Sequence, residues 1–378
     1  MYAIDFICYL CYSELNINHK ENRMGFKNIN RALTFADLAL KDSMDKNRCL
    51  TRLMDIAESI DWNTIESILM NHYQVGGSKE GAEAYPPVLL FKCLLLQKWF
   101  HIQSDPELES QINDRISFKK FLGLSFDNPS PDHSTFSRFR KRVSKKAMDQ
   151  INSAILRQFE QMGLNINEGV AIDARLVKSA SRPVSNEKLK ELREKHNTPE
   201  GKLDKKGNPK KFCRDLESNW TIKNDTPHYG LKEHASVDAN HGFILATTMT
   251  PSSVNDTKYL PYCTVYSRHT QQPIDKVYAD KGYAGSPNRE FLATNKIADG
   301  IMRKDSTTAK LTELEIQRNK KISKVRYIVE QYFGISHLHD GAKRARFTTL
   351  TKNKMDCWYR QAAFNITRGL KILRLATV

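Results

Sequence analysis

In KVYADKGYAG, residues 276–285, a short apolar run ends at Asp280 and passes straight into a glycine-containing turn. An aspartate before a glycine is commonly a turn former. At the end of a buried strand it is also a rigid mount for a carboxylate, and that second reading needs acidic partners elsewhere. Working outward supplies them. GVAID (169–173) is a short buried-strand pattern ending on Asp173, and HYGLKEHASVDANHGFILATTMT (228–250) reads as two strands around a turn at 238–242. Between this hairpin and residue 276, DTKYLPYCTVYSRH is a weak helix; beyond the turn, SPNREFLATNK is a helix and DGIMRK a further strand. LTELEIQRNKKISKVRYIVEQYFG (311–334) is a long helix. Thr312 and Glu315 form a capping box at its start, Ile322, Val325, Val329 and Tyr332 line one stripe, and Gly334 is the expected stop.

Strand, two-stranded hairpin, helix, strand, helix, strand and long helix is the order of an RNase H-like α/β domain. Its five-stranded mixed sheet brings the carboxyl ends of the first and fourth strands side by side. Asp173 and Asp280 occupy those ends, and the long helix carries Glu330 across the same edge. Three carboxylates at one place repel unless cations neutralise them. An all-oxygen site suits Mg²⁺ or Mn²⁺, and two such ions about 4 Å apart serve in-line phosphoryl transfer. Asp256, in TPSSVND, is the alternative to Asp280 as second ligand and otherwise a helix cap; Asp238 reads as a turn residue. Arg326, one helical turn before Glu330, is either half of an exposed ion pair or a guanidinium beside the metal that holds a phosphate. His228, His234 and His241 spread along the hairpin without a cysteine, so they read as satisfied surface histidines rather than a zinc site.

The rest of the chain suggests what such a site acts on. The 378 residues carry a formal charge of +16, with 40% hydrophobic and 27% charged residues, and no run long enough to span a membrane. From 303 to 378, 17 Lys and Arg face 6 Asp and Glu, so +11 of the +16 lies in the last fifth of the chain. A polyanion, and nucleic acid before membrane, is the expected partner. Residues 30–165 read as all-helical, with Thr34, Asp61 and Asn63 as candidate caps. There SPDHSTFSRFRKRVSKK (130–146) places Phe136, Phe139 and Val143 on one side of a capped helix and Arg138, Lys141 and Arg142 on the other, as in the recognition helix of a helix-turn-helix unit. The polar residues 178–227 read as an insertion, arm or disordered stretch, and 341–378 as a basic helical tail bearing Lys343, Arg344 and Arg346. Residues 1–29 read as a leader, disordered or from an over-extended start. Seven scattered cysteines, with Cys8 and Cys11 the lone CxxC pair, point to a reducing cytoplasm rather than a metal finger.

Together these stretches resemble a known family. YPPVLLFKCLLLQKWFHIQSDPELESQINDRISFKKFLGLSFDNPSPDHSTFSRFRKRV is similar to the N-terminal DNA-binding domain of bacterial insertion-sequence transposases. AIDARLVKSASRP, HYGLKEHASVDANHGFI, TPSSVND, YADKGYAG and RYIVEQYFG resemble successive motifs of the DDE catalytic domain of the insertion-sequence-five group. The resemblance covers about residues 30–370 and implies an enzyme that binds its element's terminal inverted repeats, cuts with Mg²⁺ and joins the ends to target DNA. It further implies double-stranded DNA as partner, a homo-oligomer once assembled on DNA, and a cytoplasmic, nucleoid-associated location. The family triad falls on Asp173, Asp280 and Glu330. Its tyrosine-arginine-glutamate-lysine signature matches at Arg326 and Glu330; the tyrosine position is Ser323, with Tyr327 nearby, and the lysine position is His337. A metal-dependent nuclease without joining activity, or a DNA-binding derivative without catalysis, are the alternatives.

Overall fold

The computed structural model describes residues 25–27, 29, 46–76, 83–166, 169–208, 210, 214–268, 274–306, 309–339 and 341–376. The expected leader lies almost wholly outside them, as does Thr34. Helices α1 (Arg48–Ser59) and α2 (Trp62–His72) start at Asn47 and Asp61, whose side chains accept from the Leu50 and Asn63 backbone N–H at 3.0 Å. Helix α3 (Pro87–Trp99) is apolar nearly all round and buried accordingly. Ser104 caps α4 (Asp105–Asp114), and α5 (Ile116–Leu122) stops at Gly123, whose φ of 70° suits a residue without a side chain. Helix α6 (His133–Arg142), capped by Asp132, buries Phe136 and Phe139 and leaves Arg138, Lys141 and Arg142 exposed. Residues 123–132 separate α5 from α6, a longer join than the tight turn of a helix-turn-helix.

The helical segment does not pack as a body of its own. After α7 (Lys145–Gln161), one hydrophobic core runs from Leu53, Phe91 and Phe136 into the sheet at Val170, Ile172 and Leu245. The sheet has six strands where five were expected: β1 (Val170–Lys178), β2 (Asn219–Lys223), β3 (Thr226–Asp238), β4 (Ile244–Pro251), β5 (Lys276–Ala279) and β6 (Ala298–Ile301). Their order is β2-β3-β1-β5-β6, with β4 also paired to β3, and β5 and β6 join in parallel as expected. Helices α9 (Leu260–Tyr266) and α10 (Ser286–Thr294) lie in the connections before and after β5. Strand β1 does not end at Asp173: it continues to Lys178 against β3, whereas its pairing with β5 stops at Ile172↔Ala279.

The polar segment supplies the sixth strand. Helix α8 (Asn186–Asn197) buries Leu189 and β2 fully buries no side chain, so the segment is held mainly by hydrogen bonds. Arg193 donates to the Leu216 and Ser218 carbonyls at 2.7 and 3.1 Å, and buried Asp215 accepts from the Ser179 hydroxyl at 2.6 Å and the Ser218 N–H at 2.9 Å. The β2–β3 turn uses Asn224 and Asp225 at φ 50° and 57°, the left-handed pair that a two-residue hairpin wants. Where β1, β2 and β3 meet, a side chain on Gly230 would stand 2.1 Å from the Val177 carbonyl oxygen, so only glycine allows the approach.

The basic C-terminal stretch is no tail. Helix α12 (Leu350–Ala376) buries Met355, Cys357, Tyr359, Ala362 and Ile366, and its polar side chains cover β4. Trp358 donates to the Thr247 carbonyl at 3.1 Å, Gln361 to the Ile244 and Leu245 carbonyls at 3.1 and 2.9 Å, and Asn365 both accepts from the Ile244 N–H and donates to its carbonyl at 2.8 Å. Backbone groups of an edge strand are thereby paired instead of being left open to another chain. Helix α11 (Glu313–His339) packs against β1, β3 and β5, with the expected Thr312–Glu315 box at its start; it runs through Gly334 rather than stopping there.

Candidate active site

Side chains alternate along a strand, so Asp173 and Arg175 share the sheet face covered by α11. Just beyond the last parallel pair, Ile172↔Ala279, the next residues are Asp173 and Asp280, which places the two aspartates at one edge. Each spends an oxygen on its own backbone: Asp173 Oδ1 accepts from Ala174 N–H at 2.8 Å, and Asp280 Oδ1 from Lys281 N–H at 2.6 Å. Asp280 therefore is a turn former as well as a presented carboxylate.

Helix α11 brings Arg326 and Glu330 over them. Arg326 Nη2 lies 2.8 Å from Asp173 Oδ2 and 3.9 Å from Glu330 Oε1, and Nη1 lies 3.9 Å from Asp280 Oδ1. One guanidinium thus stands among all three carboxylates. Side-chain exposure falls from 54% at Glu330 and 41% at Asp280 to 22% at Asp173 and 8% at Arg326, so the site has a mouth and a floor. Burial lifts the Asp173 carboxyl above its ordinary range; Arg326 and the Ala174 N–H pull it back, and the Asp280 charge adds to the lift. The exposed-pair reading of Arg326 and Glu330 is corrected: Arg326 is buried, and its short contact is to Asp173.

A guanidinium already enclosed by three carboxylates is a stand-in cation, and the donor set is oxygen alone, the chemistry of a hard divalent ion. Those residues fit such an ion. The carboxylates meet at Arg326 rather than at one another. Among the described residues the group whose ligand atoms all lie within 4.8 Å is Glu109, Asp132 and His133. It is a helix-start cluster in which Glu109 accepts from the His133 N–H at 2.9 Å.

Other expected site residues are placed as follows. His337 is exposed on α11 beyond Glu330, and Tyr327 is 58% exposed near Arg326. Lys343 and Arg344 are exposed, whereas Arg346 is partly buried against Asp105 at 3.1 Å and is engaged inside the protein. Asn255, not Asp256, caps the turn after β4; Asp256 Oδ1 lies 2.7 Å from Lys232 Nζ. His234 is fully buried rather than on the surface. Its ring stacks on Tyr259 at 4.3 Å, its Nε2 lies 2.9 Å from Thr250 Oγ1, and burial pushes its pKa down to about 4.

Lys232 and Tyr283 escaped the sequence reading. Lys232 and His234 alternate along β3, a period visible in LKEHAS but read there as surface. Tyr283 follows Asp280 by three residues; its hydroxyl is buried without a hydrogen-bond partner among the described residues, and burial first, then the Asp173 and Asp256 charges, raise its pKa well above the usual value.

Residues 39–142 match the family described as Transposase domain (DUF772), and residues 167–366 match the Transposase DDE domain. The second match reaches into α12, consistent with that helix being part of the catalytic body. The transposase for insertion sequence element IS1106 of Neisseria meningitidis serogroup B is 29% identical over 254 residues, covering 66% of this chain and 81% of the relative. Among solved structures, the piggyBac transposase synaptic complex with hairpin DNA aligns with a TM-score of 0.40 at 10% identity, over 87% of this chain and 75% of that one. A pre-cleavage Mos1 transpososome aligns at 0.19 and 9% identity, over 72% and 78%.

Proposed function

This chain belongs to the DDE transposase family, enzymes of DNA cleavage and strand transfer, and from that membership we propose that it binds the terminal inverted repeats of its own insertion sequence, cuts there and joins the ends to target DNA. The observation that carries the site assignment is the convergence of Asp173, Asp280 and Glu330, from three separate elements, on one cation. Those three would hold Mg²⁺ or Mn²⁺, in the two-ion arrangement that activates a water or 3′-hydroxyl and stabilises the leaving oxygen. Asp173 at the floor is fixed by the Ala174 N–H and by the pairing of its strand with β3; Asp280 and Glu330 at the mouth face the solvent from which DNA arrives. His337, Lys343 and Arg344 are exposed donors for backbone phosphates, of which Lys343 and Arg344 bring positive charge. Two ends must be held together, so at least two chains act on one element. No helix among the described residues is long and apolar enough to cross a membrane.

We assign DNA contact in the helical segment to the exposed face of α6, whose Asp132 start and buried Phe136 and Phe139 fix Arg138, Lys141 and Arg142 outward. The long α5–α6 join means that this helix would act without the usual tight turn before it. Arg138→Ala is expected to weaken binding of labelled end DNA by roughly 10-fold. A phosphate contact would also flatten the salt dependence by about one ion, whereas a base contact would relax sequence preference. Unchanged affinity in fluorescence anisotropy would remove α6 as a reader.

The overall reading is tested with linear DNA ending in the inverted repeats that bound the reading frame. Strand cleavage and a joined product are expected with Mg²⁺ or Mn²⁺ and neither with EDTA. Cleavage without joining would make the protein a nuclease, and binding without cleavage an inactive derivative.

A further inference from the structure

We infer that Arg326 is the resident cation of the DNA-free site: it holds the three carboxylates together before a divalent ion enters, and it must leave them for the ion to bind. This rests on the DDE reading above and concerns how that site is loaded.

Arg326 is buried but poorly held. Nη2 has its one short contact, to Asp173; the contacts to Asp280 and Glu330 are at 3.9 Å. Nη1 reaches the Met302 sulfur at 3.8 Å, a weak acceptor, and the buried Nε–H has no partner among the described residues. Arg175, on the same sheet face, is the contrast. Its Nε and Nη2 both donate to Glu233, at 2.9 and 2.6 Å, and its Nη1 to the Phe333 carbonyl at 3.0 Å. A buried donor without a partner is unfavourable, so Arg326 gives up one short charge-assisted bond by moving where Arg175 would give up three good bonds.

The ion and the guanidinium compete for the same oxygens. Mg²⁺ sits about 2.1 Å from its ligands, so on Asp173 Oδ2 it would crowd a like charge that now stands 2.8 Å away. Nor can Arg326, at 8% exposure, meet a DNA phosphate where it lies. Movement from floor to mouth resolves both conflicts: it frees Asp173 and delivers a guanidinium to the entrance. Loading with metal and gripping a phosphate become one event, and by linkage each strengthens the other.

Mn²⁺ titrated into the intact, DNA-free protein, with free Mn²⁺ read by electron paramagnetic resonance, tests this. Arg326→Gln is expected to bind Mn²⁺ at least about 10-fold more tightly than the unchanged protein, because a unit charge about 4 Å from the ion is worth more than a tenfold change in affinity at protein-like screening. End DNA should tighten Mn²⁺ binding to the unchanged protein and leave that of the variant where it is. Equal or weaker binding by Arg326→Gln overturns the inference. Should that variant fail to fold, judged by its circular dichroism melt, Arg326→Lys, which keeps the charge but cannot span three carboxylates, is expected to tighten binding to a smaller extent, and no gain there is equally fatal. Asp280→Asn separates this from the parent reading. If it does not lower Mn²⁺ binding at all, the DDE assignment fails; if it does while Arg326→Gln gains nothing, only the placeholder role falls.

Discussion

Asp280→Asn is expected to cut strand cleavage by roughly 100- to 1000-fold or more, the scale of losing one group that stabilises a transition state, while leaving affinity for end DNA within about twofold at fixed salt. The substitution is close to isosteric. The amide oxygen can still accept the Lys281 N–H that starts the short turn after β5, so the backbone stays in place. What disappears is the negative charge at the mouth of the site, together with one hard oxygen for a divalent ion. Denaturing gels of labelled ends and anisotropy on the same preparation separate the two readouts. Loss of binding along with cleavage would mark Asp280 as structural. Full activity in Asp280→Asn combined with inactivity in Asp256→Asn would transfer the second carboxylate role to Asp256, although that group is already paired with Lys232 at 2.7 Å.

The nearness of Asp173 and Asp280 was legible because it follows from strand order. Two parallel strands with matched ends deliver whatever residue follows them to a common edge, and a strand that runs into an aspartate and a turn is a local signal. The length of β1 was not legible. Ala174 to Lys178, ARLVK, do not alternate apolar and charged residues, and only pairing with β3, more than fifty residues away, makes a strand of them. Charge misled in two places for one reason: counting cannot separate a solvated cation from a buried one. Arg360 is 5% exposed and Arg346 partly buried, so part of the basic C-terminal segment faces acids inside the protein rather than DNA. For Arg326 two readings stood side by side, an exposed pair with Glu330 and a guanidinium beside the metal, because i and i+4 spacing reports a shared helix face without saying what that face covers.

Glu233, in the middle of LKEHASV, gave no sequence signal, yet it carries the largest stability prediction: Glu233→Gln is expected to cost about 3–5 kcal/mol, the range for removing one partner of a buried ion pair. Its side chain is fully buried between two guanidinium groups, Arg175 at 2.6 Å and Arg360 at 3.1 Å, and accepts from the Tyr332 hydroxyl at 2.6 Å. Gln keeps the shape but leaves both cations uncompensated by it. Burial alone would raise the Glu233 pKa; Arg175, Arg360 and the Tyr332 bond outweigh it and bring the group from 4.5 down to about 2. For a carboxyl depressed on folding, the stabilisation is complete above the unfolded value and is lost as pH falls toward the folded one. The gap in melting temperature between the two proteins should therefore be on the order of 10 °C at pH 7 and should narrow as pH drops through the window from 4.5 toward 2. Equal melting temperatures at pH 7 would show that the two arginines find other partners. The consequence for the site follows from where those partners sit. Arg175 also binds the Phe333 carbonyl and Tyr332 lies beside it, both on α11, while Arg360 lies on α12. Glu233 thus fastens the helix that carries Arg326 and Glu330 to the strands that carry Asp173, and a variant that still folds should show the looser triad as weaker Mn²⁺ binding.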